Sequence, residues 1–132
     1  MPLVKTSELI GVALDWAVAK ADGREEIRVF AKTRPTDLGW IEIRFNPEPR
    51  ANTARYDPSI DWGFGGPIIE RERITLDARE SDWQARIWND VRNDYIEVGR
   101  RGGYCTTALV AAMRCYVTSK LGEEVDIPEE LM

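Results

Sequence analysis

Arginine and glycine supply the residues best suited to chemistry in this sequence. Arg71, Arg73, Arg86 and Arg114 are cations that could meet an anion, and Arg114 falls amid the apolar positions of a helical pattern. A guanidinium held partly out of water must find an acceptor. That acceptor is either an internal carboxylate, such as Asp15 or Asp61, or the phosphate of a ligand. The second feature is Tyr56–Pro67, where Tyr56, Asp57, Asp61 and Trp62 precede Gly63-Phe64-Gly65-Gly66-Pro67. Glycines ahead of a helix bare backbone amides toward phosphate. A neighbouring tryptophan can stack on a base or sugar. The competing reading is a tight turn with Trp62 in the core. The run lacks the lysine of a P-loop and does not match the dinucleotide fingerprint.

Several chemistries are excluded. The chain has no histidine, which removes imidazole catalysis and histidine metal sites. Two cysteines cannot complete a structural zinc site alone. Glu70 with Glu72, on one strand face, and Asp57 with Asp61 are carboxylate pairs without a neighbouring nucleophile or ligand motif. No Gly-x-Ser-x-Gly, Cys-x-x-Cys or His-Glu-x-x-His pattern occurs. The expectation is a protein that is not an enzyme, with no catalytic residue, metal or cofactor.

The net charge is −5, and Glu123, Glu124, Asp126, Glu129 and Glu130 account for it: without them 18 acids face 18 bases. No basic stripe is present to neutralise the phosphates of duplex nucleic acid. No apolar run approaches the roughly 18 residues of a membrane span. Val125, Ile127, Pro128 and Leu131 alternate with the acids, a pattern that predicts docking on the body. Cys105 and Cys115, ten positions apart in one predicted helix, would sit roughly 15 Å apart, too far to pair.

The elements follow from periodicity. Residues 7–21 read as a helix capped by Thr6 or Ser7, with Leu9, Ala13, Trp16 and Ala17 as its stripe and Ile10 and Leu14 widening it. Strands follow at 27–31 and 39–45, joined by a turn at Thr33–Asp37. Residues 46–58, with Pro47, Pro49 and Pro58, read as a loop. Over Pro58–Arg73 a short helix that Ser59 could cap is expected, broken or kinked at Gly66-Pro67 and resuming through Ile68–Arg71. Trp83–Trp88 and Tyr95–Val98 read as a hairpin that puts Trp83 and Trp88 on opposite faces, one of them exposed. Gly99–Gly103 is a glycine–arginine loop. Thr106 or Thr107 opens a last helix whose apolar face runs through Leu109, Ala112, Met113, Tyr116, Val117 and Leu121 to Gly122. The 132 residues, 43% hydrophobic, suffice for one core. The predicted class is α+β: a small antiparallel sheet covered by the N-terminal and C-terminal helices, with a domain at 1–122 and an acidic tail at 123–132.

Three blocks carry a family resemblance: LIGVALDWAVA at 9–19, YDPSIDWGFGGPIIERER at 56–73 and ALVAAMRCYVTSKLGEEVDIPEEL at 108–131. Together they resemble the NinX-like family of small tailed-phage proteins. The order of parts is also similar to that of phage alpha–beta–alpha sandwich proteins. The resemblance implies a phage origin, a location in the cytoplasm of the infected bacterial host and an accessory role; it implies no catalytic residue. The leading expectation is then a counter-defence protein that sequesters a small nucleotide-type signalling molecule in a pocket, which a homo-oligomer could share. Its ligand-binding set would be Tyr56, Trp62, Gly65, Gly66, Arg71, Thr107 and Arg114. The alternative is a protein–protein inhibitor or adaptor that engages a host factor through exposed tryptophans and the acidic tail. A pocket holding Arg71 or Arg114 would favour the first, and an exposed apolar patch the second.

Overall fold

A computed structural model of the chain describes residues 2–30, 39–46, 52–99, 105 and 107–131. The turn at Thr33–Asp37, Pro47 and Pro49, most of the glycine–arginine loop and Thr106 lie outside the described residues.

The fold is α+β with antiparallel pairing, as expected, but the described strands form three ladders. Strands β1 (Leu3–Lys5) and β8 (Glu124–Asp126) pair with each other. Strands β2 (Ile27–Phe30), β3 (Trp40–Asn46) and β4 (Asn52–Arg55) form the second ladder. Strands β5 (Thr75–Ala78), β6 (Trp83–Asn89) and β7 (Asp94–Val98) form the third. The α-helices among the described residues are α1 (Gly11–Ala21), α2 (Trp62–Glu72) and α3 (Ala108–Leu121).

Helix α3 is the hub, touching α1, α2 and the β5–β6–β7 ladder. Every residue from Ala108 to Val117 is buried. A helix buried all round needs small and apolar residues on all sides, which ALVAAM supplies. Thr107 caps it, its hydroxyl accepting from the Val110 amide at 3.1 Å. Gly122 ends it at φ 93°. Leu121, expected on the buried face, is exposed in the last turn.

Four expectations need correction. First, α1 begins at Gly11, not at residue 7. Gly11 adopts φ 61°, outside the helical region, and Thr6–Glu8 form a separate 3₁₀ turn. Thr6 caps nothing: it is buried, its hydroxyl donating to the Gly122 carbonyl at 2.7 Å and its amide to Glu123 at 2.8 Å. Ile10, freed from the helix, is exposed. Second, α2 runs unbroken through Pro67, and its cap is Asp61, which accepts from the Gly63 amide at 2.8 Å. Pro67 is tolerated because Gly66 before it has no Cβ to clash, and Gly63, whose carbonyl the proline nitrogen cannot serve, is exposed. Glu70 and Glu72 therefore sit on this helix, not on a strand. Third, β4 lies within the stretch read as loop, and β5 was not expected. Both are four-residue edge strands, too short and too poor in large apolar residues to give a clear strand pattern. Fourth, Cys105 precedes α3 instead of lying in it, although both cysteines are buried and neither forms a disulfide. Burial pushes the Cys115 thiol up to about 12, as befits an inert core thiol.

Residues 123–131 dock on the body. Val125, Ile127 and Leu131 are buried while Glu124, Asp126, Glu129 and Glu130 face water. The hairpin expectation also holds: Trp88 is exposed, edge-on to Tyr95 at 5.1 Å, and Trp83 is half-buried against the core.

Candidate functional site

The N-terminal ends of α1, α2 and α3 open on one cleft of about 370 Å³. Ile10 and Gly11 come from the start of α1. Ser59, Ile60 and Trp62 come from the turn that enters α2, and Thr107, Ala108, Leu109 and Val110 from the start of α3. The rim is apolar and wet: Ile10 is 61% exposed, Ile60 68% and Trp62 55%. Their exposure has local causes. Ile10 has extended backbone before the helix, at φ −150°. Ile60 closes the turn in which its amide donates to the Asp57 carbonyl, and Trp62 is the first residue after the Asp61 cap. No side chain caps α1, whereas α2 and α3 are capped by Asp61 and Thr107.

Of the seven residues expected to bind a ligand, two line this cleft, Trp62 and Thr107. Tyr56 is buried in the core, its ring edge-on to Phe64 at 5.1 Å. Burial pushes its phenol up to about 12. Arg71 is on the far part of α2. Its Nη2 donates to Asp22 at 2.9 Å and its Nε to Glu72 at 2.8 Å, and the guanidinium lies over the Tyr116 ring at 5.7 Å. The hydrogen bond it donates to Glu72 holds Arg71 above the ordinary arginine value. Arg71 thus ties α1, α2 and α3 together at the end opposite their starts.

Arg114 is buried behind the cleft. Its Nε donates to the Leu9 carbonyl at 2.7 Å, and its Nη1 lies 3.4 Å from Cys105 Sγ. The carboxylates suggested for it are engaged elsewhere: Asp61 caps α2, and Asp15 accepts from the Ser59 amide at 2.9 Å. Arg114 therefore positions two chain segments, Leu9 and Cys105, that lead into the cleft walls.

Gly65 and Gly66 act through packing. A Cβ on Gly65 would fall 2.5 Å from Leu109 Cδ2 and 2.7 Å from the Pro58 carbonyl oxygen. The glycine lets α2 approach α3 and the turn beside the cleft. Gly65→Ala is expected to destabilise the fold by about 1–3 kcal/mol, because the carbonyl cannot yield as a side chain can. The same change at Gly66, where the nearest atom beyond the chain neighbours and the helix backbone is 3.9 Å away on Trp62, should cost less: it meets no such contact, only the crowding of the new Cβ against Pro67. Urea melts of the two variants check the contrast, and equal midpoints would refute the packing account.

Sequence reasoning missed Ile10, Ile60, Ser59 and Asp15. Asp15 is buried on α1 next to the turn that builds the cleft wall. Burial raises its carboxyl to about 7, with Asp57 adding to the rise and the Ser59 bonds and Arg55 opposing it. A second, polar groove of about 720 Å³ runs between β7 and the end of α3, past Arg92, Tyr95, Thr118 and Glu123. Among the described residues, no three His, Cys, Asp or Glu side chains gather as a metal site. No described helix is long and apolar enough to cross a membrane.

Among curated proteins, none matches the chain significantly. The family profile described as Bacteriophage P22, NinX matches residues 5–120, which takes in α1, both larger ladders, α2 and nearly all of α3. All three helix starts that build the cleft fall inside that span, and the chain belongs to the NinX family of bacteriophage P22.

Proposed function

We propose that the protein is a non-enzymatic phage accessory protein that acts in the cytoplasm of the infected host, against its defences, by capturing a host protein. The exposed rim of Ile10, Ile60 and Trp62 carries this reading. Three large apolar side chains held in water around one concavity mark an interaction surface. A tryptophan at its edge has the character of a binding hot spot. The fitting anchor is an aliphatic or aromatic side chain of the partner, inserted between Ile60 and Trp62.

The test is pull-down from the bacterial host, followed by affinity measurement with the purified partner. Trp62→Ala is expected to weaken binding by about 30-fold, corresponding to about 2 kcal/mol at a hot spot. Trp88→Ala, at an exposed tryptophan away from the cleft, should leave it unchanged. The reverse result would move the interface to the hairpin, and insensitivity to both would remove the tryptophan reading.

A second reading keeps the small nucleotide-type signal as the captured molecule. The half-exposed Trp62 ring beside the uncapped start of α1 favours it, as a stacking surface next to backbone amides. Against it, the arginines expected to meet the phosphates are engaged away from the cleft. A thermal-shift panel of cyclic dinucleotides, ADP-ribose species and NAD separates the two. A rise of several degrees, with the ligand released at unchanged mass, would establish sequestration.

A further inference from the structure

The cleft wall rests on a buried acid. Asp15 is 5% exposed and accepts from the Ser59 amide at 2.9 Å across 44 residues of chain. Ser59 is itself 2% exposed, and its hydroxyl lies beside that carboxyl without a hydrogen bond of good geometry. Ser59 and Ile60 are the wall, and Trp62 follows two residues later. We infer that proton exchange at Asp15 regulates the cleft, by changing how the Ser59–Ile60 wall is held. This rests on the cleft being the capture site.

The groups that face Asp15 set the direction. Asp57, at the start of the same turn, opposes the ionised form, and Arg55 favours it. The buried phenol of Tyr56 also feels the Asp15 charge. From α3 the charged residue of the buried stretch is Arg114, which is bound to the Leu9 carbonyl. From β3 the buried residues are Ile41 and Ile43. Helix α1 itself adds Lys20, which sits over the Trp16 ring. Among the described residues, the hydrogen bonds that solvate the ion thus fall to Ser59, with Arg55 acting through its charge. A neutral carboxyl sits comfortably in this setting. An ionised one draws the Ser59 hydroxyl, and water through the cleft, toward itself.

The sign follows from a carboxyl raised from 3.8 to about 7. The native state holds a proton that the unfolded chain has lost, so stability declines as pH rises from the ordinary carboxylate range to about 7.

Proton–nitrogen NMR of the protein without any partner is the test. The Ser59 and Ile60 amides and the Trp62 indole are expected to titrate together with a midpoint near 7, and the Trp88 indole should stay still. In Asp15→Asn the titration should vanish, and the melting temperature, which in the native protein falls by several degrees from about pH 5 to about pH 8, should become flat. Should Asp15→Asn fail to fold, Ser59→Ala serves: losing the hydroxyl should move the midpoint upward. A midpoint near the ordinary carboxylate value, or a titration of Ser59 that leaves Trp62 unmoved, would overturn the inference. Neither outcome depends on a partner. Absence of any captured partner would instead count against the proposed function alone.

Discussion

Deleting residues 123–132 is expected to abolish cooperative folding, although half of the removed residues are acids. The reason is what lies between those acids. Val125, Ile127 and Leu131 are 7%, 0% and 7% exposed. Burying side chains of this kind stabilises by about 1.5–3 kcal/mol each. Three of them together approach the whole stability of a small domain, about 5–15 kcal/mol. The deletion also removes the partner strand of β1, paired from Leu3↔Asp126 to Lys5↔Glu124, and the Glu123 carbonyl that receives the Thr6 amide. Leu9, Ile10 and Gly11, which lead into the cleft, would lose the anchor on which the first strand hangs. The contrasting variant replaces Glu124, Glu129 and Glu130 by Gln and Asp126 by Asn. It should melt within about 3 °C of the parent, since exposed charges away from close partners contribute little. Circular-dichroism melts of both proteins decide the matter. A deletion that melts like the full chain would refute the packing role of this segment. It follows that loss of partner capture in the deletion cannot be assigned to the acids; the charge variant is the one that tests them.

What the sequence made legible is what local pattern controls. Alternation of Ile41 and Ile43 with Glu42 and Arg44 identified β3, and the same logic found the β6–β7 hairpin. Helix α3 was legible because Thr107 and Gly122 mark its ends. Patterns failed where a glycine or a short polar segment took an identity that only packing confers. Gly11 at φ 61° cut away the first turn expected of α1, which moved Ile10 from core to rim. Four glycines and prolines within Gly63–Pro67 argued for a kink, yet close approach to Leu109 rewards the glycine at Gly65 with an unbroken α2. Asn52–Arg55 became a strand because β3 offered an edge, not because its residues favour one. The site was half legible for the same reason. Trp62 and Thr107 announce themselves as residues at a glycine-rich helix entry and a cap. That both meet Ile10 is a fact of three helix starts brought together from distant parts of the chain, which no spacing in the sequence encodes.

Substituting Arg114 is expected to be among the most damaging single changes, and the order of severity should reveal what it does. The sequence marked it correctly as a buried cation in need of an acceptor; its Nε is met by a backbone carbonyl, that of Leu9, which a list of side chains cannot supply. Arg114→Ala removes the donor to Leu9 and the group near Cys105, and it opens a cavity in the most tightly buried stretch of α3. A loss of about 3–5 kcal/mol is expected, from the orphaned carbonyl plus the cavity. Arg114→Met fills the space and removes the cost of burying a charge, so about 1–2 kcal/mol should be lost, mainly for the unpaired Leu9 carbonyl. Arg114→Lys keeps a charge but not the planar fork that reaches Leu9 and Cys105 at once, so it should be no better than Met. Denaturant melts give the order Met, Lys, Ala from mildest to worst. A ligand phosphate contact would instead leave the stability of Lys close to that of Arg. The decisive readout for the cleft is the Met variant, which stays folded. With Leu9 released, Ile10 and Gly11 lose their backing, and the affinity for a captured partner should fall even though residue 114 touches no partner. Unchanged affinity in a folded Arg114→Met protein would show that the guanidinium supports the core and not the cleft.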